Sequence, residues 1–274
     1  YKLSVDKVNL SFLANASYVK NEIKNLGNQT GYIDKESLPT LGTVSRNENG
    51  YPIGYFFGYK AIGVFQTQEE IDSYISPATG KPIQPNAAPG DTKFEDLNGD
   101  GVISDDNEDR TMIGKPNPDW MVGLTVAADW NGFDLSAFFQ GSFGADVFDA
   151  LRRYELAAVN YTSDALERWT GPGTSNSMPR IVLGDTPKNF RPSTLLVHDA
   201  SFLRLRNLQV GYTLPAQLTR KAYIQRLRFY ASFDNLLTIT GYKGMDPEIG
   251  STMGIDKGVY PQARVYTFGL NLTF

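Results

Sequence analysis

The sequence lacks cysteine altogether and has a single histidine, His198, among its 274 residues. The absence of cysteine excludes a disulfide framework, a thiol nucleophile and a thiolate metal site, and it leaves the redox compartment open. One histidine cannot make a histidine-rich metal site, and we interpret His198 as a polar residue at the base of a loop. No Walker-type loop, Gly-x-Ser-x-Gly motif or His-Glu-x-x-His motif is present. We therefore predict that the protein is not an enzyme.

Long apolar runs and an excess of positive charge are also lacking. No segment approaches the ~18 consecutive apolar residues that a membrane-spanning helix requires, which excludes helical membrane proteins. The formal net charge of -4 gives no electrostatic support for a broad nucleic-acid-binding surface, so we expect no nucleic-acid partner. A β-barrel membrane protein stays possible, because alternation hides its lipid-facing side chains from an averaged hydropathy.

What the sequence does contain is strict alternation, most clearly in its last stretch, 264–274. The large residues there all have even numbers: Tyr266, Phe268, Leu270, Leu272 and Phe274. A period of two sends them to one face of a β-strand and the small or polar residues between them to the other. In a soluble sandwich the apolar face would pack on a second sheet. In an outer-membrane barrel it would face lipid, and the polar face would border a watery lumen.

Five further segments are predicted to be strands in the same way: 7–20, 119–130, 133–140, 202–212 and 225–236. Trp120 and Trp130 share a face of one of them. At ~3.3 Å per residue and a tilt of ~40° they are about 25 Å apart, the height of the lipid-facing band of a barrel, which favours the membrane. In the segment 202–212 the apolar residues change parity, which predicts either a β-bulge or a buried girdle position.

The connections between these segments alternate in length. Those at 131–132 and 215–224 are short, and those at 21–118, 143–201 and 237–262 are long. Outer-membrane barrels combine short periplasmic turns with long extracellular loops, whereas a sandwich has no reason to put every long loop at one end. Six strands cannot close a barrel, since the smallest use about eight. Partner strands are therefore expected elsewhere in the polypeptide or in another chain, and the start at Tyr1 predicts the later part of a longer protein.

Six motifs give the sequence a specific resemblance to a known family. They are P-G-D-T-K-F-E-D-L-N-G-D-G-V-I (89–103), D-R-T-M-I-G-K-P-N-P (109–118), F-L-R-L-R-N-L-Q-V-G-Y-T-L-P (202–215), F-D-N-L-L-T-I-T-G-Y-K-G-M-D-P-E (233–248), G-V-Y-P-Q-A-R (258–264) and G-L-N-L-T-F (269–274). In their order and spacing, from about residue 50 to the end, the chain resembles the C-terminal portion of SusC/RagA-type TonB-dependent outer-membrane transporters.

This resemblance implies a fold class and a set of partners. The fold class would be all-β: the C-terminal strands of a large antiparallel transmembrane β-barrel with long extracellular loops, in a whole protein of about 22 strands. Residues 1–274 would form one C-terminal barrel segment, with the plug domain and the earlier strands absent. The protein would lie in the outer-membrane lipid of a Bacteroidota-type bacterium. A SusD-like lipoprotein would cap the loops, oligosaccharides or peptides would be imported, and TonB would drive import through the missing N-terminal region.

One loop has the spacing of a hard-cation site. Carboxylate, amide and carboxylate oxygens stand at positions 1, 3 and 5, a glycine at position 6 and a backbone carbonyl at position 7, as Ca²⁺ requires of such a loop. Position 12 is Asn107, and the nearest acids are at 105, 106, 108 and 109, so the loop is either enlarged or incomplete. The predicted ligands of a structural Ca²⁺ are Asp96, Asn98, Asp100, Val102 and Asp109. The alternative is an ordinary Asn/Asp/Gly turn with solvated charges.

Aromatic side chains in the long connections are the other candidates for a binding role. They are Tyr55, Phe56, Phe57, Tyr59, Tyr154, Trp169, Tyr242 and Tyr260. They could stack on sugar rings or on a capping partner, but packing within the loops is favoured for most of them. The substrate-binding residues are therefore left unassigned.

Two other functions fit parts of this pattern. A passive or adhesive outer-membrane barrel shares the alternation but has no plug domain. A secreted all-β glycan-binding module or hydrolase predicts a core between two sheets and, for a hydrolase, catalytic carboxylates in a cleft. Extraction distinguishes this last class, because a soluble module needs no detergent.

Overall fold

The structure is a computed structural model that describes residues 1–105, 108–151, 160–248 and 253–274. The strands in chain order are β1 (Lys2–Val5), β2 (Val8–Tyr18), β3 (Tyr32–Leu38), β4 (Gly42–Glu48), β5 (Tyr55–Tyr59), β6 (Ala61–Val64), β7 (Thr92–Phe94), β8 (Arg110–Gly114), β9 (Trp120–Trp130), β10 (Phe133–Phe143), β11 (Asp146–Asp149), β12 (Val197–Asp199), β13 (Phe202–Thr213), β14 (Arg226–Thr240), β15 (Ile255–Asp256) and β16 (Val265–Thr273). The α-helices are α1 (Gln68–Ser73) and α2 (Ala216–Thr219), and single 3-10 turns cover Ser163–Glu167, Leu183–Asp185, Thr194–Leu196 and Arg220–Ala222. None of the helices in these ranges is long and apolar enough to cross a membrane.

Seven strands form one sheet in the order β1-β2-β9-β10-β13-β14-β16. Every neighbouring pair in it is antiparallel. The order of the strands in the sheet is their order in the sequence, and the strands that are left out all belong to the long connections. The six predicted strands are confirmed. Strand β1 is additional, and its four residues are too few for a period of two to be recognised in the sequence.

The two faces of this sheet differ as the alternation predicts. The register Tyr18–Trp120–Phe143 puts one aromatic row near the long connections, and Trp130–Phe133–Tyr212 puts a second row near the short turns. Ring centroids are 5.0 Å apart for Tyr18 and Trp120 in the first row, and 6.2 and 4.5 Å apart for Phe133 and its neighbours Trp130 and Tyr212 in the second. Apolar side chains, among them Leu124, Leu135 and Phe268, fill the band between the rows. Aromatic girdles that flank an apolar band are typical of the lipid-facing side of a barrel.

The apolar face is not part of a protein core. Trp120, Trp130 and Phe268 are 47%, 54% and 76% exposed. Within the described residues no second sheet pairs with or packs on this face. This arrangement contradicts the sandwich alternative, which needed these side chains inside a core.

The change of parity in β13 is caused by a β-bulge. Leu205 pairs with Phe139 and Asn207 pairs with Phe138, so the ladder skips Arg206. The same irregularity appears on the other side of β13, in its pairing with β14. Because of this extra residue, Leu205 and Leu208 both lie on the apolar face although one has an odd and the other an even number. Of the two explanations that the sequence left open, the structure therefore selects the bulge.

The connections confirm the predicted asymmetry. Short turns at 6–7, 131–132 and 214–225 lie at one end of the sheet. Asn131 and Gly132 have φ values of 48° and 91°, as a two-residue hairpin of the primed type requires. The long connections, 19–119, 144–201 and 241–264, lie at the other end and are called here the first, second and third connection.

The three long connections fold together into one loop cluster. It contains the sheets β3-β4-β5-β8 and β12-β11-β15 and the antiparallel two-stranded sheet β6-β7. Its main core combines side chains from all three connections: Leu38, Val44, Phe56, Phe148, Leu196 and Ile255. Strand β15 of the third connection pairs in parallel with β11 of the second, which aligns Ile255 with Phe148. The loops therefore form a packed unit that holds its polar side chains in fixed positions.

Candidate functional site

The polar face of the main sheet carries an ion pair and a hydrogen-bonded amide. Arg228 Nε on β14 donates to Asp134 Oδ1 on β10 at 2.8 Å. Nearby, Asn207 Nδ2 on β13 donates to Ser232 Oγ at 2.9 Å and to Asp234 Oδ1 at 2.7 Å. The register directs these polar side chains to the face opposite the apolar one. They give one side of the sheet a hydrophilic wall.

A second network joins this wall to the third connection. Arg204 and Arg206 come from β13, and Asp246 and Glu248 come from the connection. Arg204 is buried; it donates to Asp246 and, at 3.0 Å, to Glu248. Arg206 binds Glu248 and also donates to Gln140 Oε1 at 2.7 Å. The network holds the third connection against the wall at the end of the sheet where the loop cluster lies.

Asp246 is the centre of this network. Burial would raise the pKa of its carboxyl, but the N–H groups of Gln262 and Glu248 and the guanidinium of Arg204 outweigh burial and hold the pKa below its usual value. The two N–H donors lie 2.9 Å from its carboxylate oxygens. One side chain thus fixes two distant points of the third connection to one strand.

Sequence reasoning did not find this network. The sequence pattern that could have indicated it is two arginines separated by one leucine, within a strand that was predicted to line the membrane. Both arginines bind Glu248, and the bulge at Arg206 sets how the second one reaches it; a bulge cannot be located from the alternation alone. Asp246 and Glu248 lie in a stretch without any periodic pattern.

Two of the predicted cation ligands, Asp96 and Asp109, accept backbone N–H groups of the same loop. Asp96 accepts the N–H groups of Gly99 and Gly101 at 2.8 and 2.9 Å. Asp109 is buried and accepts the N–H groups of Leu97 and Ser104 at 3.1 and 3.0 Å. Each carboxylate oxygen can still use a second lone pair.

The side chains at positions 3 and 5 of this loop contact each other. Asn98 Nδ2 donates to Asp100 Oδ2 at 3.0 Å and to Glu108 Oε2 at 2.9 Å, and Val102 N donates to Asp100 Oδ1 at 2.8 Å. Among the described side chains no group of three or more acids or histidines has a geometry for holding a metal. Positions 106 and 107, which belong to the same loop, lie outside the described residues, so the cation site stays a prediction.

Most of the aromatic candidates pack inside the loop cluster, as the favoured interpretation predicts. The buried ones are Tyr55, Phe56, Phe57, Tyr59 and Tyr242. Trp169 is half-buried and donates to Gln66 Oε1 at 3.1 Å, whereas Tyr260 is exposed. Tyr154 lies outside the described residues. His198 lies on β12 near Asp149, with 3.8 Å between Nε2 and Oδ2, at the base of the second connection.

Comparisons with known proteins assign the chain to a family. No protein-family model matches it. The chain is 34% identical over 236 residues to TonB-dependent receptor P3 of Formosa agariphila, an alignment that covers 82% of this chain and 22% of that protein. It is 30% identical over 263 residues to TonB-dependent receptor SusC of Bacteroides thetaiotaomicron, which covers 95% of this chain and 24% of that protein. The chain belongs to the SusC-like TonB-dependent receptors.

Solved structures agree with this membership. The SusC-like chain superimposes over its whole length on the RagAB peptide transporter, with a TM-score of 0.75, 27% identity and 28% of that chain covered. The RagAB peptide importer in its open-open state gives a TM-score of 0.73 and 26% identity over 27% of that chain. The SusC-like chain thus spans about a quarter of the length of the proteins that it matches. Its main sheet is a part of a large antiparallel transmembrane barrel, which is why β1 and β16 end the sheet without partner strands.

Proposed function

We propose that residues 1–274 form the C-terminal barrel segment of an outer-membrane importer, with a plug domain and the earlier strands in the rest of the protein. The sheet with one apolar and one polar face is the observation that carries this proposal. Its apolar band between two aromatic rows suits lipid, and the wall with Asp134 and Arg228 suits a solvated lumen. Unpaired strand edges in hydrocarbon cost several kcal/mol per exposed group, so β1 and β16 require partner strands.

The activity that we propose is TonB-dependent import of oligosaccharides or peptides, together with a SusD-like lipoprotein at the loop cluster. Relatives named TonB-dependent receptor and SusC support it, and the likeness to the RagAB peptide importer supports peptides as an alternative cargo. The mechanism is binding at the loops, closure by the lipoprotein and displacement of the plug, with no covalent bond made or broken. The Arg204 and Arg206 network keeps one wall of the entrance rigid during closure.

The experiment compares uptake in cells that produce the full-length protein with its lipoprotein partner. Uptake of a fluorescent oligosaccharide or peptide is measured with and without a working TonB. Active import predicts that uptake stops when TonB is removed, while protein in the outer membrane stays at the same level. Uptake that continues without TonB would instead support a passive barrel. An adhesive barrel would take up neither cargo.

A structural Ca²⁺ in the loop of Asp96 and Asp109 is a second part of the proposal. The oxygen spacing from Asp96 to Val102 supports it, because hard oxygen ligands at alternate positions suit this ion. The ion would tighten a loop that the hydrogen bonds from Gly99, Gly101 and Ser104 already shape. Its role would be structural, because Asp96 and Asp109 already organise the backbone of this loop.

A further inference from the structure

Arginines and aromatic rings alternate in one stack through the loop cluster. In order, the stack is Tyr32, Arg46, Phe57, Arg110, Tyr59, Arg191 and Phe94. The guanidinium carbon of Arg110 lies 4.3 Å from the centre of the Phe57 ring, and that of Arg191 lies 4.7 Å from the centre of the Tyr59 ring. Stacking on both sides restricts each guanidinium to one plane. Two of the three arginines, Arg110 and Arg191, border a cavity.

This cavity, of about 630 Å³, lies between the first and second connections. Its cationic side chains are Arg110, Lys188 and Arg191. Its carboxylates are Asp105 and Asp185, and Asp185 accepts the N–H groups of Asn189 and Phe190, both at 2.9 Å. Asp105 is therefore the acid that faces the cations: it binds Lys188 and lies 3.8 Å from Arg191 Nη1. Among the described residues, three cations against two acids leave the lining with an excess of positive charge.

Backbone carbonyl groups hold Arg110 and Arg191 in position. Arg110 donates to the backbone carbonyls of Thr43 and, at 2.7 Å, of Phe57. Arg191 Nε donates to the carbonyl of Lys188 at 3.2 Å. Its buried Nη1 faces Asp105 at 3.8 Å and has no acceptor within hydrogen-bond distance among the residues that the structure describes. A buried guanidinium N–H requires an acceptor, and an oxyanion that enters the cavity would supply one.

The backbone of the cavity wall is held in an uncommon conformation. Thr40, Asp185 and Lys188 line the cavity and have φ values of 69°, 43° and 57°. Positive φ is uncommon for residues other than glycine, and for a β-branched residue such as Thr40 it is an outlier. Such residues concentrate at ligand-binding sites, where the surrounding structure holds them in place. These φ values therefore indicate a binding site independently of the charges that line the cavity.

We propose that this cavity binds a carboxylate group of the imported molecule, and that the receptor therefore prefers acidic oligomers to neutral ones. The inference rests on the proposed import function and adds the chemical class of the cargo. Planar guanidinium groups held by stacking suit a planar carboxylate, which accepts two hydrogen bonds side by side. Lys188, whose side chain is 53% exposed, adds a further positive charge. Asp105 competes with the ligand for the same cations.

The test measures binding to the purified full-length receptor by calorimetry in detergent at low salt. The probes are trigalacturonate and an N-acetylated tripeptide amide of aspartate, each compared with an uncharged counterpart, maltotriose or N-acetyl-triglycine amide. The binding of at least one acidic probe is expected to weaken about three- to tenfold in Lys188→Gln and to strengthen by a similar factor in Asp105→Asn, because the two variants change the cavity charge in opposite directions. Both side chains are at least half exposed, so these substitutions leave folding intact.

The matched control is the exposed pair Lys60 and Glu95, whose charged atoms are 3.4 Å apart outside the cavity lining. Lys60→Gln and Glu95→Gln make the same charge changes and are expected to leave the affinities unchanged. The inference would be overturned if both cavity variants bound the acidic probes with the affinity of the parent receptor. It would also be overturned if the parent receptor bound acidic and neutral probes equally well. The probe that responds identifies whether the carboxylate belongs to a sugar or to a peptide. TonB takes no part in this binding assay. The result of the assay is therefore independent of whether uptake requires TonB.

Discussion

Asp134 on β10 and Arg228 on β14 form an ion pair across the strand that separates them, β13. The pair passes directly over Gly211, which β13 places between Asp134 and Tyr230. A Cβ atom at Gly211 would lie 2.5 Å from Arg228 Nη2 and from Asp134 Oδ1. The polar wall of the barrel therefore depends on one position without a side chain.

Substitution of Gly211 by alanine is expected to separate this ion pair and to lower the stability of the barrel by about 1–3 kcal/mol. The reason is the overlap of the new methyl group with both charged side chains. Thermal unfolding of the full-length protein in detergent measures the change. Gly241→Ala is the matched control, because a Cβ there meets no atom within 4 Å. Equal losses in the two variants would show that the ion pair does not pass over Gly211.

Arg204→Met is expected to release the third connection from the polar wall. Arg204 is buried and binds both Asp246 and Glu248, so its removal leaves carboxylates short of a partner, at a cost of about 3–5 kcal/mol. Limited proteolysis should then cut within 241–264 in Arg204→Met and not in the parent protein. Lys243→Met, an exposed change in the same connection, should leave the cleavage pattern as it is. An uncut third connection in Arg204→Met would mean that the network does not hold it.

Acid is expected to release the same connection. The pKa of Asp246 in the docked state lies below its ordinary value of 3.8, so its contribution is complete above that pH and is lost as the pH falls through the docked-state pKa. Pepsin digestion from about pH 4.5 to pH 2 should therefore show increasing cleavage within 241–264. Asp246→Asn should weaken this pH dependence, because it removes the central carboxylate of the network and leaves that of Glu248 on Arg204 and Arg206. A cleavage profile with the same pH dependence in both proteins would contradict the assignment.

An arginine on the apolar face is expected to prevent insertion of the barrel, whereas one on the polar face is tolerated. Phe268→Arg puts the charge in lipid, where it costs about 2–4 kcal/mol near the middle of the bilayer. Thr267→Arg makes the control change on the adjacent residue, which the register puts on the other face. The shift in gel mobility between folded and heated protein measures the fraction inserted. A larger loss for Thr267→Arg would reverse the assignment of the two faces.

Removal of divalent cations is expected to loosen the loop of Asp96. If Ca²⁺ binds there, EDTA should raise the rate of protease cleavage within 96–109, and added Ca²⁺ should restore protection. Asp96→Asn should be cleaved at the raised rate with or without EDTA, because it loses a charged ligand. The same rate in the parent protein with and without EDTA would leave the ordinary turn as the correct description.

How far the sequence predicts the structure depends on the range of each interaction. The strands were predictable because alternation is local: Tyr266, Phe268 and Leu270 share a face whenever that segment is extended. The short and long connections follow from the spacing of those strands. The tight Asx turns at Asp96 are local as well, since the hydrogen bonds from Gly99 and Gly101 join residues at most five apart.

The tertiary structure alone decided the rest. Arg204 meets Asp246 only after a whole strand and a connection have folded back, and Phe148 reaches Ile255 across more than one hundred residues. The stack that joins Arg46, Arg110 and Arg191 likewise depends on the packing of the first connection on the second. A period of two is imposed by the backbone of each strand, so the sequence by itself determined the two faces of the sheet. Which polar side chains meet in the loop cluster depends on how long connections close and pack, and no local pattern encodes that.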